Sequence, residues 1–548
     1  MRALRMRRFT RGNVMKRRTF LLTTAATAAA ASLPRLAMAA PAGGKRPVLR
    51  YVAEADLTSL DPVWSTAYIT QMSAELVYDT LFGFDEHYAP QLQMLADAKA
   101  SADGRQWTLV LRPGLLFHDG TPVRAQDCVA SIRRWGSRDT LGQELMKRTA
   151  DIAAPDVHTI VFKLNKPFPL LPNALGKVAS SMACIMPERL AKIDAHTQIT
   201  EAIGSGPFRF AKDKWVSGST AVFDRFDGYV PRPGAPGSFS AGAKVADVGQ
   251  VVWKTIPDAA TSSAALQAGE IDGLETISSD FLPVLAADSN LEIVKSMVAT
   301  IPIMRFNALY PPFDSPAIRR AVLSAINQTQ FMTALMGSDN KSYWQTNVGV
   351  FSPGSPMATQ AGIGVMKGMA PANLAAARQA IKDAGYKGEK VVLLDPADYP
   401  ASHMPAMVAA DLLKKIGMNV DVQTMDWGTL MQRRASQSAP AAGGWNVHFT
   451  TLSGMNNFDP ASHLALRANG RQGWFGWPTS DKIEALREQW FDAPDNDARR
   501  KICAALQMQV WQDVPYIPLG AYYNASAFRR GWQGISTQMP LFYNLRRA

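Results

Sequence analysis

Cysteine is nearly missing from this sequence. Cys128, Cys184 and Cys503 stand far apart and are odd in number, so no disulfide framework can be read from them. They read as buried free thiols. Histidine is scarce as well: His87, His118, His158, His196, His403, His448 and His463 are scattered, and the nearest pair is fifteen residues apart. No H-E-x-x-H or C-x-x-C run occurs, so the sequence offers no support for a metal site. There is no G-x-S-x-G elbow and no Walker-type phosphate loop. Ser338-Asp339-Asn340-Lys341 overlays S-x-x-K on S-D-N, but penicillin-binding enzymes need these as separate elements with a K-T-G, and here they read as a polar loop. No catalytic residue and no cofactor is expected.

Charge of one sign is also lacking once its position is considered. The formal net charge is +12, but residues 1–39 hold nine basic residues and no acidic one. Removing those nine from the 58 leaves 49 basic residues against 46 acidic ones. A nucleic-acid partner would want a basic stripe in the folded body, and none is present. Long apolar runs are missing too. The best candidate, Phe20 to Leu33, is short and alanine-rich, whereas a membrane span needs about 20 strongly apolar residues. Preceded by Lys16-Arg17-Arg18 and followed by Ala37-Met38-Ala39, it reads as a cleaved signal peptide over residues 1–39, with a mature start at Ala40. Lys16-Arg17-Arg18-Thr19-Phe20-Leu21 resembles a twin-arginine export signal. No cysteine follows the cleavage site, which argues against a lipid anchor.

What remains is a long globular chain. At 548 residues, with 47% hydrophobic and 19% charged residues, it predicts two or three lobes. Residues 107–111 and 158–164 read as strands. Residues 372–386 and 406–416 read as amphipathic helices, the first ended by Gly385, and a strand follows over Met418–Val422. The alternation predicts an α/β fold. Phe117-His118-Asp119-Gly120-Thr121-Pro122 looks like chemistry, yet each residue but the histidine has an architectural reading. Asp119-Gly120 is a turn, Pro122 stiffens its exit, and Asp127 falls in the first turn of a helix, near free N–H groups.

The block Trp107-Thr108-Leu109-Val110-Leu111-Arg112-Pro113-Gly114-Leu115-Leu116-Phe117-His118-Asp119-Gly120-Thr121-Pro122 resembles the signature of the extracellular solute-binding proteins of family 5. Further pieces follow in order: Leu60-Asp61-Pro62, Leu76-Val77-Tyr78-Asp79-Thr80-Leu81, Ile203-Gly204-Ser205-Gly206-Pro207-Phe208, Leu266 to Asp272, Phe306-Asn307 with Pro312-Phe313 and Ile318 to Ala321, and Val514 to Leu519. The resemblance implies a two-lobed periplasmic binding protein of type II with an extra N-terminal subdomain. It places lobe I at 46–80, 202–300 and 512–548, the subdomain at 81–201, and lobe II at 301–511. It implies a periplasmic component of an ABC importer that closes on a peptide or peptide-like solute and delivers it to the permease and its ATPase.

In peptide-binding members an acidic residue near a D-P step pairs with the ligand amine. Here the step is Asp459-Pro460, and three residues before Asp459 stands neutral Asn456. A shift of alignment would move the role to Asn457 or Asp459. Asn456 offers a hydrogen bond and no counter-charge. Trp445, Trp474 and Trp477, and more weakly Trp427, are expected either to form an aromatic wall for the solute or to pack a core. Two rival readings are a carrier of a metal or haem complex in the same family, tested by metal analysis, and an exported cofactor-dependent enzyme, tested by an absorbance spectrum.

Overall fold

A computed structural model describes residues 46–178, 181–235 and 237–548. The signal-peptide expectation and the Ala39–Ala40 cleavage point lie outside the described residues. Two seven-stranded sheets organise what is described. The first runs, edge to edge, Leu291–Lys295, Ala525–Arg529, Gly273–Leu274, Val48–Val52, Gln250–Lys254, Thr220–Arg225 and Phe208–Phe210. Val48–Val52 pairs parallel with Gln250–Lys254 and with Gly273–Leu274. Its residues Leu49 and Tyr51, which share one face, lose all solvent contact against the core.

The second sheet centres on Thr300–Phe306. Val447–Ser453 lies on one side, followed by Lys390–Pro396 and Asn419–Met425; Tyr516–Pro518 and Ala521–Tyr522 lie on the other. Helices Pro371–Asp383 and Pro400–Lys415 stand where the apolar periodicity predicts helices. The second begins six residues earlier than expected, since Pro400 suits a first helical position. A four-stranded antiparallel sheet, Leu95–Ala100, Gln106–Leu111, Thr159–Leu164 and Thr149–Ala153, forms the body of the segment before lobe II, with helices Ala125–Gly136 and Thr140–Arg148.

One expected boundary moves. The resemblance places 512–548 in lobe I, but Tyr516–Pro518 and Ala521–Tyr522 pair with the lobe II strand, and the chain re-enters the first sheet only at Ala525–Arg529. The run Val514–Leu519 is uniformly apolar, and such a run fits the centre of either sheet equally well. Only the register with Ile303–Arg305 selects one.

The recurrent sequence pieces are structural ties. Asp61 takes a two-pronged ion pair from Arg134 at 2.8 and 3.0 Å, both side chains buried, and accepts the N–H groups of Val63, Trp64 and Ile199. Asp79 accepts from Lys244, Tyr229 and Gln93. Asp272 is forked by Arg50. Arg319 donates to the carbonyls of Asp513 and Val514 at the end of helix Asn496–Asp513, satisfying groups that a helix terminus leaves open. Asp127 accepts the Arg124 N–H at 2.9 Å. The Arg124 guanidinium has no acceptor, so it grips the Asp127 carboxylate instead of capping the helix.

His118 is tied in the same way. Gly204 N–H donates to its Nδ1 at 3.3 Å, and its Nε2 meets the Gly206 carbonyl at 3.1 Å. Two motifs 86 residues apart therefore lock together through one imidazole. A proton on Nδ1 would oppose the Gly204 N–H. Burial, the larger cause, together with nearby Arg209 lowers the histidine to about 4, despite its bond to Gly206. Cys128, Cys184 and Cys503 are buried and free, and burial pushes all three thiols up.

Candidate ligand-binding cleft

The chain passes between the two sheets at Ser296 to Ala299 and again at Tyr523 to Asn524. The two passages are hydrogen-bonded to each other, Ser296 N–H to Asn524 O at 2.8 Å. In lobe II the strands Lys390–Pro396, Asn419–Met425 and Val447–Ser453 run parallel. Ser453 faces Thr300 beside the first passage, so the carboxyl end of this strand points at the junction. In open α/β sheets ligands bind outside such ends. The loops that leave these ends carry Tyr399, Trp427 and Asn456.

The turn Gly454–Asn457 sits at the junction of the lobes. Met455 joins the lobe I core that contains Val298, and Phe458 packs on Tyr88 with ring centroids 4.5 Å apart. Between them Asn456 is half-buried and its Oδ1 has no partner. Asn457 has no solvent contact, and neither its Oδ1 nor its Nδ2 is hydrogen-bonded. Its carbonyl accepts the Ser352 N–H. Unpaired amide groups of this kind are costly when buried and mark a place where a further polar group fits. Asp459 accepts the N–H groups of Ala461 and Ser462, and burial raises its carboxyl. It serves its own loop.

The tryptophans divide. Trp445 has no exposed surface and Trp477 is 3% exposed; both pack with Val392, Leu394 and Leu430 in a small core of lobe II, their rings 5.9 Å apart. Neither ring presents a face to a solute. Trp474 is half-buried, with the guanidinium groups of Arg305 and Arg434 at 5.2 and 5.8 Å from its ring. Trp427 opens helix Trp427–Arg433 and stacks on Tyr399 at 4.4 Å, half-buried. The expected wall is thus not one surface: two rings are sealed, one stacks on arginines, and one stands at a strand end.

Other residues at the strand ends were missed. His403 Nδ1 lies 2.6 Å from Asp395, whose other oxygen accepts from Thr424. Tyr399 and Thr451 hydroxyls approach at 3.4 Å. On the lobe I side stand Glu54 and Glu275. Nothing in the local sequence marks them: Glu54 follows a strand as polar residues commonly do, and the E-I-D piece that precedes Glu275 reads as architecture. Among the described residues no three His, Cys, Asp or Glu side chains converge as a metal cage, and no helix is long and apolar enough to cross a membrane.

Two α/β lobes joined by paired passages, with polar groups held open at their junction, define a two-lobed solute-binding protein. The chain belongs to the bacterial extracellular solute-binding proteins of family 5, whose model matches residues 89–472. It is 36% identical to a probable peptide ABC transporter periplasmic-binding protein of Sinorhizobium fredii, over 97% of this chain and 100% of the relative. It is 25% identical to a glutathione-binding protein of Escherichia coli K12, over 88% and 90% of the two chains. A dipeptide-binding protein from Pseudoalteromonas, solved with Met-Leu, shares the fold at a TM-score of 0.76 and 19% identity, covering 92% of this chain and all of that one.

Proposed function

We propose that this protein is the periplasmic binding component of an ABC importer, exported by a cleaved signal of the twin-arginine type. It takes up a peptide or peptide-like solute between its lobes and presents it to the permease, without making or breaking bonds. The observation that carries the reading is the Gly454–Asn457 turn, which holds the side chains of Asn456 and Asn457 unpaired at the junction of the lobes. A peptide backbone offers alternating donors and acceptors that match amide side chains. Asn456, Asn457 and Trp427 are assigned the lobe II contacts, with Tyr399 beside them; Trp445 and Trp477 are assigned to packing. The peptide relationship of the Sinorhizobium relative supports the same class.

The test is mass spectrometry of the solute that accompanies the protein out of its own periplasm, followed by calorimetry with that compound. A co-purified peptide or amide-rich solute that binds at micromolar affinity, about 8 kcal/mol, is expected. A stoichiometric metal chelate or haem in its place overturns the reading.

A further inference from the structure

Two carboxyl groups on the lobe I side have no cation. Glu275 is 5% exposed, and one of its oxygens accepts the Glu54 N–H at 2.8 Å. Glu54 is open to solvent yet deeply surrounded, as a group lining a cleft is; burial raises its carboxyl. Burial first, and the charge of Glu54 second, raise Glu275 further, and no basic side chain lowers either. Buried Asp61, Asp79, Asp127 and Asp272 each have an Arg or Lys partner, and buried Asp395 has His403 and Thr424; the Glu54 carboxylate has no side-chain partner among the described residues.

The second observation is a phenol. Tyr51 has no exposed surface, its Oη has no hydrogen-bond partner, and it lines one depression together with Glu275 and Tyr68. That depression opens beside Ser296 and Asn524, the two passages between the lobes. On lobe II, Tyr522 pairs with Thr300 beside the first passage, and the Tyr399 hydroxyl approaches Thr451. Burial and then Glu54 push the Tyr399 hydroxyl up, and burial, Tyr399 and Glu54 do the same to Tyr522.

We infer that Glu54 and Glu275 receive a cationic group of the bound solute, an ammonium or a guanidinium, beside the phenols of Tyr51 and Tyr68. An uncompensated pair of carboxylates in a low-dielectric site either holds a proton or takes its counter-charge from outside. Phenol oxygens accept from a cation, and phenol rings attract it. The counter-charge that Asn456 does not supply on lobe II would thus stand on lobe I, and the solute's cation would face the opposite wall. This rests on the peptide-uptake reading and adds the charge the solute carries.

The full mature protein is incubated with a random tripeptide library, and with the same library after acetylation of all its amines and blocking of its guanidinium groups; retained species are counted by mass spectrometry. Wild type should retain unblocked peptides at least about tenfold better than blocked ones, a difference of ~1.4 kcal/mol. Glu54→Gln and Glu275→Gln should each erase that preference while melting normally. Glu54 is open to the cleft, so E54Q keeps the test alive if E275Q misfolds. Equal retention of blocked and unblocked peptides by wild type, or an undiminished preference in E54Q, overturns the inference and leaves the uptake reading intact. Retention of no peptide in either library overturns both.

Discussion

His118 illustrates how a side chain that looks catalytic serves the fold. Both ring nitrogens are committed to the backbone of Gly204 and Gly206. His118→Ala should cost about 1–3 kcal/mol, the usual penalty for orphaning buried groups, read from urea unfolding, with solute affinity in calorimetry unchanged. Burial of the ring, which outweighs the bond to Gly206, also makes the protein acid-sensitive. His118 stays neutral in the folded state down to about 4, and His463, buried against the Val350 carbonyl and the Tyr516 hydroxyl, down to about 3. The unfolded chain takes up these protons near pH 6.5. The stabilisation is thus complete above about pH 6.5 and is lost as pH falls toward 4, by roughly 3 kcal/mol at most for His118. Urea midpoints measured from pH 7 to pH 4.5 should fall, and His118→Gln should flatten the slope. A single histidine beside an aspartate in sequence does not reveal this, because its partners arrive from a segment 86 residues away.

At the scale of elements, the turn and the strand end separate packing from binding. Trp477→Ala should cost about 3–5 kcal/mol, as for a large buried ring, while the folded variant binds solute as before. Trp427→Ala removes a half-buried ring at a strand end; stability should change by less than about 1 kcal/mol, and affinity should fall roughly tenfold. Thermal melts and calorimetry on the two variants separate these outcomes, and equal binding by both ends the role assigned to Trp427. The stretch from Gly204 to Gly206 shows a close approach of backbones. A Cβ at Gly204 would stand 2.1 Å from the Val77 carbonyl, and one at Gly206 would stand 2.6 Å from that of Leu76. Helix Tyr68–Val77 therefore ends directly on this stretch, and Gly204→Ala should destabilise by about 1–3 kcal/mol.

At the scale of the whole molecule, the four-stranded subdomain reaches the far lobe through charge. Lys147 meets Glu488 at 2.7 Å, Arg148 meets Asp492 at 3.1 Å, and Lys166 meets Asp492 at 2.8 Å. The acidic partners lie on helix Asp481–Asp492 of lobe II. Burial opposes ionisation of both acids, but the lysines and Arg148 outweigh it and hold them below their usual range. These pairs tie the subdomain to lobe II, with which it shares one apolar cluster, and the tie is expected to favour the closed cleft. The double variant Glu488→Gln, Asp492→Asn should weaken solute binding roughly threefold, in keeping with about 0–1 kcal/mol per exposed pair, and should make affinity less sensitive to salt. Calorimetry at low and high ionic strength reads both effects; an unchanged affinity and salt slope would mean that the pairs do not favour closure.

The sequence by itself determined the class of fold and its ties. Strand and helix periodicity, the Asp119-Gly120 turn and the ordered pieces from Leu60 to Leu519 are local, because turn geometry and apolar period act over a few residues. The sequence also carried the neutral Asn456 beside the Asp459-Pro460 step. It did not decide which tryptophans are sealed, since an aromatic residue in a core and one on a cleft wall share the same local pattern. Nor did it decide that Tyr516–Tyr522 belongs to the second sheet, or that Glu54 meets Glu275, which shares one depression with Tyr51 and Tyr68. Those facts depend on register between distant strands and on two passages that bring the lobes together, and burial and electrostatic coupling exist only after that assembly is made.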